Sequence, residues 1–241
     1  MTNIIRSQPI RPVARNSHFL RAFTLIELIV VLAIIAILMS MVYPMYTNMS
    51  ERAKATKDLS NLRQIGIATQ TYMNESDGAL PGSIIPPVTW MSQLSPKYFS
   101  GWRGFQSPFD KRPSSEAGGA SSPISYGINA NIYPGGAAMP ANKITKPTTF
   151  ILFAPAQASG ANVSFLGWAN SPLSGVTVAG NGNNTATSSP GGVATGGTQN
   201  NRQRINALFA DLHSETMPWT TFTRTGATTD DPDAPLRWNP Y

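Results

Sequence analysis

The chain has 241 residues, with 18 Lys and Arg against 12 Asp and Glu, a formal net charge of +6 and no cysteine. Arg6, Arg11, Arg15 and Arg21 precede Phe23 with no acid among them, and beyond that point 14 basic residues face 12 acidic ones, a net of +2. This excludes a disulfide framework and a thiolate-bound metal, and it leaves too little positive charge in the body of the chain to require a polyanion, so no nucleic-acid partner is expected.

Residues 1–22 form a basic leader, of the kind retained on the cytoplasmic side of a membrane. Residues 23–76 read as one long helix, roughly 80 Å at 1.5 Å per residue. Its first part, 23–43, is almost unbroken apolar sequence and long enough to cross a membrane. Glu27 is the one acid in it. An anchor has no use for that carboxylate, which is costly in hydrocarbon unless it lies near the interface or beside a partner charge. A secretory signal peptide fits poorly, because the run leads into more helix. Ala33 and Ala36 are small, but Ile37 and Leu38 continue the apolar core past them. Pro44 removes a backbone donor and is expected to kink or loosen the rod.

Beyond Pro44 the pattern becomes amphipathic. Leu59, Leu62, Ile65, Thr69 and Tyr72 recur at three- or four-residue spacing on one face. Glu51, Arg52, Lys54, Lys57, Asp58 and Arg63 are read as lying largely off that stripe. Asp77-Gly78 and then Pro81-Gly82 supply the stop.

Residues 77–241 form the head. Twenty glycines and twenty prolines make it loop-rich and β-containing. A proline-punctuated connection, 79–149, carries scattered aromatic residues. Strands are predicted at 150–154, 163–168, 175–179, 205–210 and 215–219. Residues 180–200 have almost no apolar content and are expected to form a mobile surface loop. The five tryptophans, Trp90, Trp102, Trp168, Trp219 and Trp238, are assigned to core packing and not to a stacking platform for bases or sugars.

His213 is the one histidine after Phe23. In His213-Ser214-Glu215, close to Asp211, it reads as a solvated turn residue. The chain has no nucleophile elbow and no phosphate-binding glycine loop, so no enzyme site is expected. Thr228-Thr229-Asp230-Asp231-Pro232-Asp233 is rich in oxygen donors. Asp230, Asp231 and Asp233 are candidate calcium ligands, although the spacing is not that of an EF-hand.

Arg21-Ala22-Phe23-Thr24-Leu25-Ile26-Glu27, the basic segment before it and Pro44 together resemble the prepilin leader and helix of type IV pilins and type II secretion pseudopilins. With a cut between Ala22 and Phe23, both Glu27 and Pro44 fall in register with the family. The family usually has glycine before the cut, and Ala22 is the next smallest residue. The resemblance implies cleavage and N-methylation of Phe23 by prepilin peptidase. It implies assembly with identical or related subunits, with Glu27 pairing with the new α-amino group of a neighbour. Pro44 would mark a segment able to melt or stretch in the fibre. Many type IV pilins close a C-terminal loop with a disulfide, which this chain cannot do, so the resemblance tilts toward pseudopilins. Major pseudopilins are known for a calcium site in their C-terminal loops.

Ile205-Asn206-Ala207-Leu208-Phe209-Ala210-Asp211 is similar to the terminal hairpin of a pseudopilin-like group marked by His, nine residues, then Asp-Gly. Asp211 is kept, while Asn201 stands at the His position and Leu212 at the Gly position. Asn61-Leu62-Arg63-Gln64-Ile65-Gly66 is similar to the same group. The expected fold is α+β: a long N-terminal helix packed by its C-terminal half against a small antiparallel β-sheet head with long loops. The expected location is the inner membrane, single-pass, with the N-terminus cytoplasmic and the head periplasmic. Two rivals are a pilin of a surface or DNA-uptake pilus, and a membrane-tethered binding or enzymatic domain that reuses the leader.

Overall fold

A computed structural model describes residues 23–82, 90–110, 124–133, 137–155, 197–200, 203–224 and 226–241. The leader, the strands predicted at 163–168 and 175–179, Trp168, and most of the loop expected at 180–200 lie outside the described residues. The chain divides into two compact units, residues 1–46 and 47–241. Helix α1, Leu25–Glu75, begins in the first and ends in the second.

In the first unit α1 is apolar all round. Phe23 is 81% exposed, and Leu25, Leu32, Ile35 and Val42 are exposed as well. The helix is long and apolar enough to cross a membrane. It continues through Pro44, whose ring leaves the Ser40 carbonyl without its usual helical donor.

In the second unit α1 is amphipathic. Its buried stripe is Asp58, Asn61, Leu62, Ile65, Gly66, Ala68, Thr69 and Met73. This corrects the sequence reading at Asp58, which lies fully buried and not on the solvated side. The spacing from Asp58 to Leu62 and Ile65 is four and then three, so the residue belongs to the stripe by geometry. Charge alone had placed it outside.

The helix stops where Asp77 and Gly78 adopt left-handed φ values of 51° and 76°. The Gly78 N–H donates to the Met73 carbonyl at 2.9 Å. That is the long bond of a Schellman motif, and it satisfies a carbonyl that the helix end would otherwise leave open. The Lys97 ammonium and the Tyr98 hydroxyl then meet Glu75 in the last turn. Those bonds hold the Glu75 carboxyl below its ordinary range.

The sheet has strand order β1-β2-β3-β4, all antiparallel neighbours. The strands are β1, Tyr126–Ile128; β2, Ile151–Pro155; β3, Arg204–Phe209; and β4, Ser214–Pro218. The last three fall within a residue of their predicted places. β1 is too short to show a period of two and was not predicted. Ile128 pairs with Phe153, and Phe153 with Leu208. Because side chains alternate along strands, Tyr126, Ile128, Phe153, Leu208 and Asn206 share the face that α1 covers. Gly66 permits close approach there, since a Cβ at that position would lie 3.2 Å from Leu208 Cδ1. Leu62, Ile65, Phe153 and Leu208 are completely buried, each worth about 1.5–3 kcal/mol. Trp90 of α2, Trp90–Leu94, packs edge-on against Phe105 and Phe153.

The end of the chain is tied down without a disulfide. α3, Trp219–Phe222, packs against β3 and β4. Trp238 Nε1 donates to the Phe222 carbonyl at 3.1 Å, and its ring meets Phe222 edge-on. The Trp238 carbonyl accepts from Asn129 Nδ2 and Asn131 Nδ2, and the Pro240 carbonyl from the Thr145 N–H. Trp238→Ala is expected to cost about 3–5 kcal/mol, as for other buried aromatic truncations. Thermal unfolding of the processed chain should show a melting point roughly 10 °C lower. An unchanged melting point would show that the tail does not staple the head.

Candidate functional site

The first site begins at the helix start. Thr24 precedes the first helical residue, Leu25, and Glu27 lies three residues further on. The Thr24 N–H donates to Glu27 Oε2 at 2.9 Å, and Thr24 Oγ1 donates to the same oxygen at 2.7 Å. The Glu27 N–H donates back to Thr24 Oγ1 at 3.3 Å. This is a capping box. Thr-x-x-Glu was readable in the sequence as a helix-start signature, but attention to charge in an apolar run hid it. The bonds place the carboxylate beside the backbone of Phe23 and Thr24, where the predicted cut would create an amino group. Oε2 takes both bonds from Thr24, and Oε1 has no partner among the described residues. The arrangement can therefore cap its own helix and still accept a second, charged donor.

The second cluster is at the junction of helix and head. Asp58 Oδ1 accepts from Ser107 Oγ at 2.5 Å and from Tyr126 OH at 2.7 Å. Its Oδ2 accepts from Asn206 Nδ2 at 2.8 Å. Asn206 Nδ2 also reaches the Ala55 carbonyl at 3.0 Å, and Asn206 Oδ1 accepts from Thr216 Oγ1 at 2.6 Å. Asn61 Nδ2 donates to Tyr126 OH and to the Gln106 carbonyl. One carboxylate thus ties α1 to the 105–110 segment, β1 and β3. Among the described residues no basic side chain bonds to it. Burial pushes the Asp58 carboxyl above its ordinary range, and the three donors pull it part of the way back. Burial and the adjacent carboxylate push the Tyr126 hydroxyl well above its ordinary range. The cluster rivets the helix to the sheet.

At the β3–β4 turn, His213 stacks on Phe209 at 4.3 Å between centroids, and its Nδ1 lies 2.5 Å from Asp211 Oδ1. The predicted solvated turn is what forms there. Leu212 adopts φ +69°, a conformation natural to glycine and strained for leucine. The turn therefore keeps the shape that the hairpin resemblance implied, although its glycine is replaced. Leu212 packs partly against the core, which offsets that strain. Asn201 lies outside the described residues.

The C-terminal acids are arranged around cationic side chains. Asp231 accepts from Arg237 Nη2 with both oxygens, at 3.1 and 3.0 Å, and from Arg224 Nη1 at 3.0 Å. Asp233 pairs with Lys146 at 2.5 Å, and Asp230 is exposed. Among the described residues no three acids or histidines are gathered where they could hold a metal. As placed, Asp230, Asp231 and Asp233 do not converge on a common cation position.

Residues 21–43 match the prokaryotic N-terminal methylation motif. No curated protein and no solved structure matches the chain. The matched span contains Ala22, Phe23 and Glu27 and ends at Tyr43, the last residue of the apolar segment. That motif is the prepilin-type leader of type IV pilins and pseudopilins; it marks the chain as a pilin-like substrate of prepilin peptidase and points to a structural subunit.

Proposed function

We propose that the chain is a subunit of a pseudopilus in a type II secretion-like system. It enters the inner membrane with the leader cytoplasmic and the head periplasmic. Prepilin peptidase cuts between Ala22 and Phe23 and methylates the new amino group of Phe23. The released subunits then pack through α1 into a fibre, with the work supplied by an assembly ATPase elsewhere. The observation that carries this reading is the methylation motif running directly into a helix whose first half exposes apolar side chains on every face. Such a surface needs lipid or other copies of itself. The absence of cysteine favours the secretion branch.

In the fibre, Glu27 Oε1 accepts the methylated α-amino group of a neighbouring subunit. Both charges would otherwise be stranded in apolar surroundings, where an unpaired charge is heavily penalised. Intact mass spectrometry of native material is expected to show a chain beginning at Phe23 and carrying one methyl group. Retention of Met1 would remove the reading. Deletion of the gene should then abolish secretion of a folded exoprotein. Loss of a surface fibre or of DNA uptake in its place would assign the chain to a pilus.

A further inference from the structure

A pocket of about 460 Å³ opens beside the start of the amphipathic half of α1. Asn48, Glu51 and Arg52 form one wall, and Gln199, Asn200 and Arg204 the other. The second wall is held by close backbone approach. The Gln199 N–H and the Arg204 N–H each donate to the other residue's carbonyl at 3.1 Å. Gly197 allows this, because a Cβ there would fall 2.1 Å from the Arg204 carbonyl oxygen. Glu51 accepts the Asn200 N–H and so closes the two walls together.

The other lining side chains include two guanidinium groups and the amide groups of Asn48, Gln199 and Asn200. Among the described residues the Arg52 guanidinium makes no hydrogen bond or ion pair, and Arg204 spends one Nη2 bond on the Thr216 carbonyl at 3.2 Å. Gln199 is more than nine-tenths buried, and its Nε2 has no partner. A buried donor with nothing to bond is costly, and its residue lines a cavity that carries two guanidinium groups against one carboxylate. Forked guanidinium groups suit a tetrahedral oxyanion. Asn48 and Arg52 come only five and nine residues after Tyr43, where the membrane-length apolar run ends.

We propose that this pocket binds a phosphate group, supplied by the headgroup of an anionic phospholipid in the membrane that holds α1. The lipid source rests on the membrane residence that the prepilin-type reading implies; the phosphate chemistry rests on the pocket alone. Occupancy would fix the head against the bilayer before assembly.

The test uses the processed full chain in maltoside micelles, titrated calorimetrically with dihexanoyl phosphatidylglycerol, dihexanoyl phosphatidylcholine and inorganic phosphate. Phosphatidylglycerol should bind saturably and more tightly than phosphatidylcholine, which carries the same tails. Inorganic phosphate should compete with it. Arg52→Gln and Gln199→Ala should each weaken binding about tenfold or more. Lys57→Gln, which removes a cation from the same helix outside the pocket, should leave it unchanged. Equal binding by wild type, Arg52→Gln and Gln199→Ala overturns the site, as does an equal loss in Lys57→Gln. Binding of inorganic phosphate without phosphatidylglycerol overturns the lipid assignment. Self-association lost in Arg52→Gln, with no lipid binding, would give the pocket to a neighbouring subunit and overturn it too. The measurement uses unassembled protein, so a chain that binds lipid but never forms a fibre would sink the filament reading and leave the site standing.

Discussion

Replacing Asp58 by alanine is expected to destabilise the head by about 3–5 kcal/mol. The substitution leaves the hydroxyls of Ser107 and Tyr126 and one amide hydrogen of Asn206 without their acceptor, at roughly 1–3 kcal/mol for each buried group left unmade. Asn206 cannot turn its amide to compensate, because its oxygen already takes the Thr216 hydroxyl and its nitrogen the Ala55 carbonyl. Asp58→Asn should cost less, since one oxygen still serves Ser107 and Tyr126. Its new amide would nevertheless meet the Asn206 amide donor to donor.

Asp58 also sets a pH dependence of definite sign. Its carboxyl is raised in the folded state above the ordinary value of 3.8, so the native chain holds this proton more tightly than the unfolded one. The contribution of the group is fully present below that ordinary value. It falls as pH rises from there through the raised folded value, and stays low above it. The difference in stability between wild type and Asp58→Asn, measured by urea unfolding across this range, should therefore favour the wild type most at the acidic end. A difference that grows in the wild type's favour on going to neutral pH would show that the donors to the carboxylate outweigh its burial and that the folded carboxyl is lowered, not raised.

Glu27→Gln is expected to abolish fibre assembly while leaving membrane insertion and cleavage intact. Glutamine preserves the geometry of the capping box with Thr24 but removes the charge that would meet a neighbour's amino group. Breaking one side of a charge pair in apolar surroundings is severe, and a fall in polymer yield of about a hundredfold or more should follow. Thr24→Val makes the opposite cut, because it loses the hydroxyl bond and keeps the carboxylate. It should lower the yield only modestly. Sedimentation of sheared fibres from cells carrying each variant separates the two effects. Loss in Thr24→Val as severe as in Glu27→Gln would show that the Thr24 hydroxyl, which holds the carboxylate in place, matters as much as the charge, and assembly of Glu27→Gln at the wild-type rate would remove the pairing.

The N-terminal third was legible because its signals are local. An apolar run long enough for a membrane, an interior proline and an Asp-Gly stop are each read from a few neighbouring residues. Strands β2, β3 and β4 were legible for a similar reason, as short runs bounded by turn formers. β1 was not, because three residues have no period to read, and only pairing with β2 makes them a strand. The candidate calcium acids illustrate another limit. Asp231 is next to other acids in sequence, but in space it is gripped by Arg224 and Arg237.

Asp58 and Gln199 mark where sequence reasoning ends. Composition, the leader and the long apolar helix follow from the chain itself, because hydrophobic length and helix-end chemistry depend only on neighbours along it. Whether an aspartate is solvated or sealed beneath a tyrosine, and whether a glutamine amide finds a partner, depends on residues distant in the chain, 148 positions away for Asp58 and Asn206. Desolvation is a property of the packed volume around a group, and only the folded chain creates that volume.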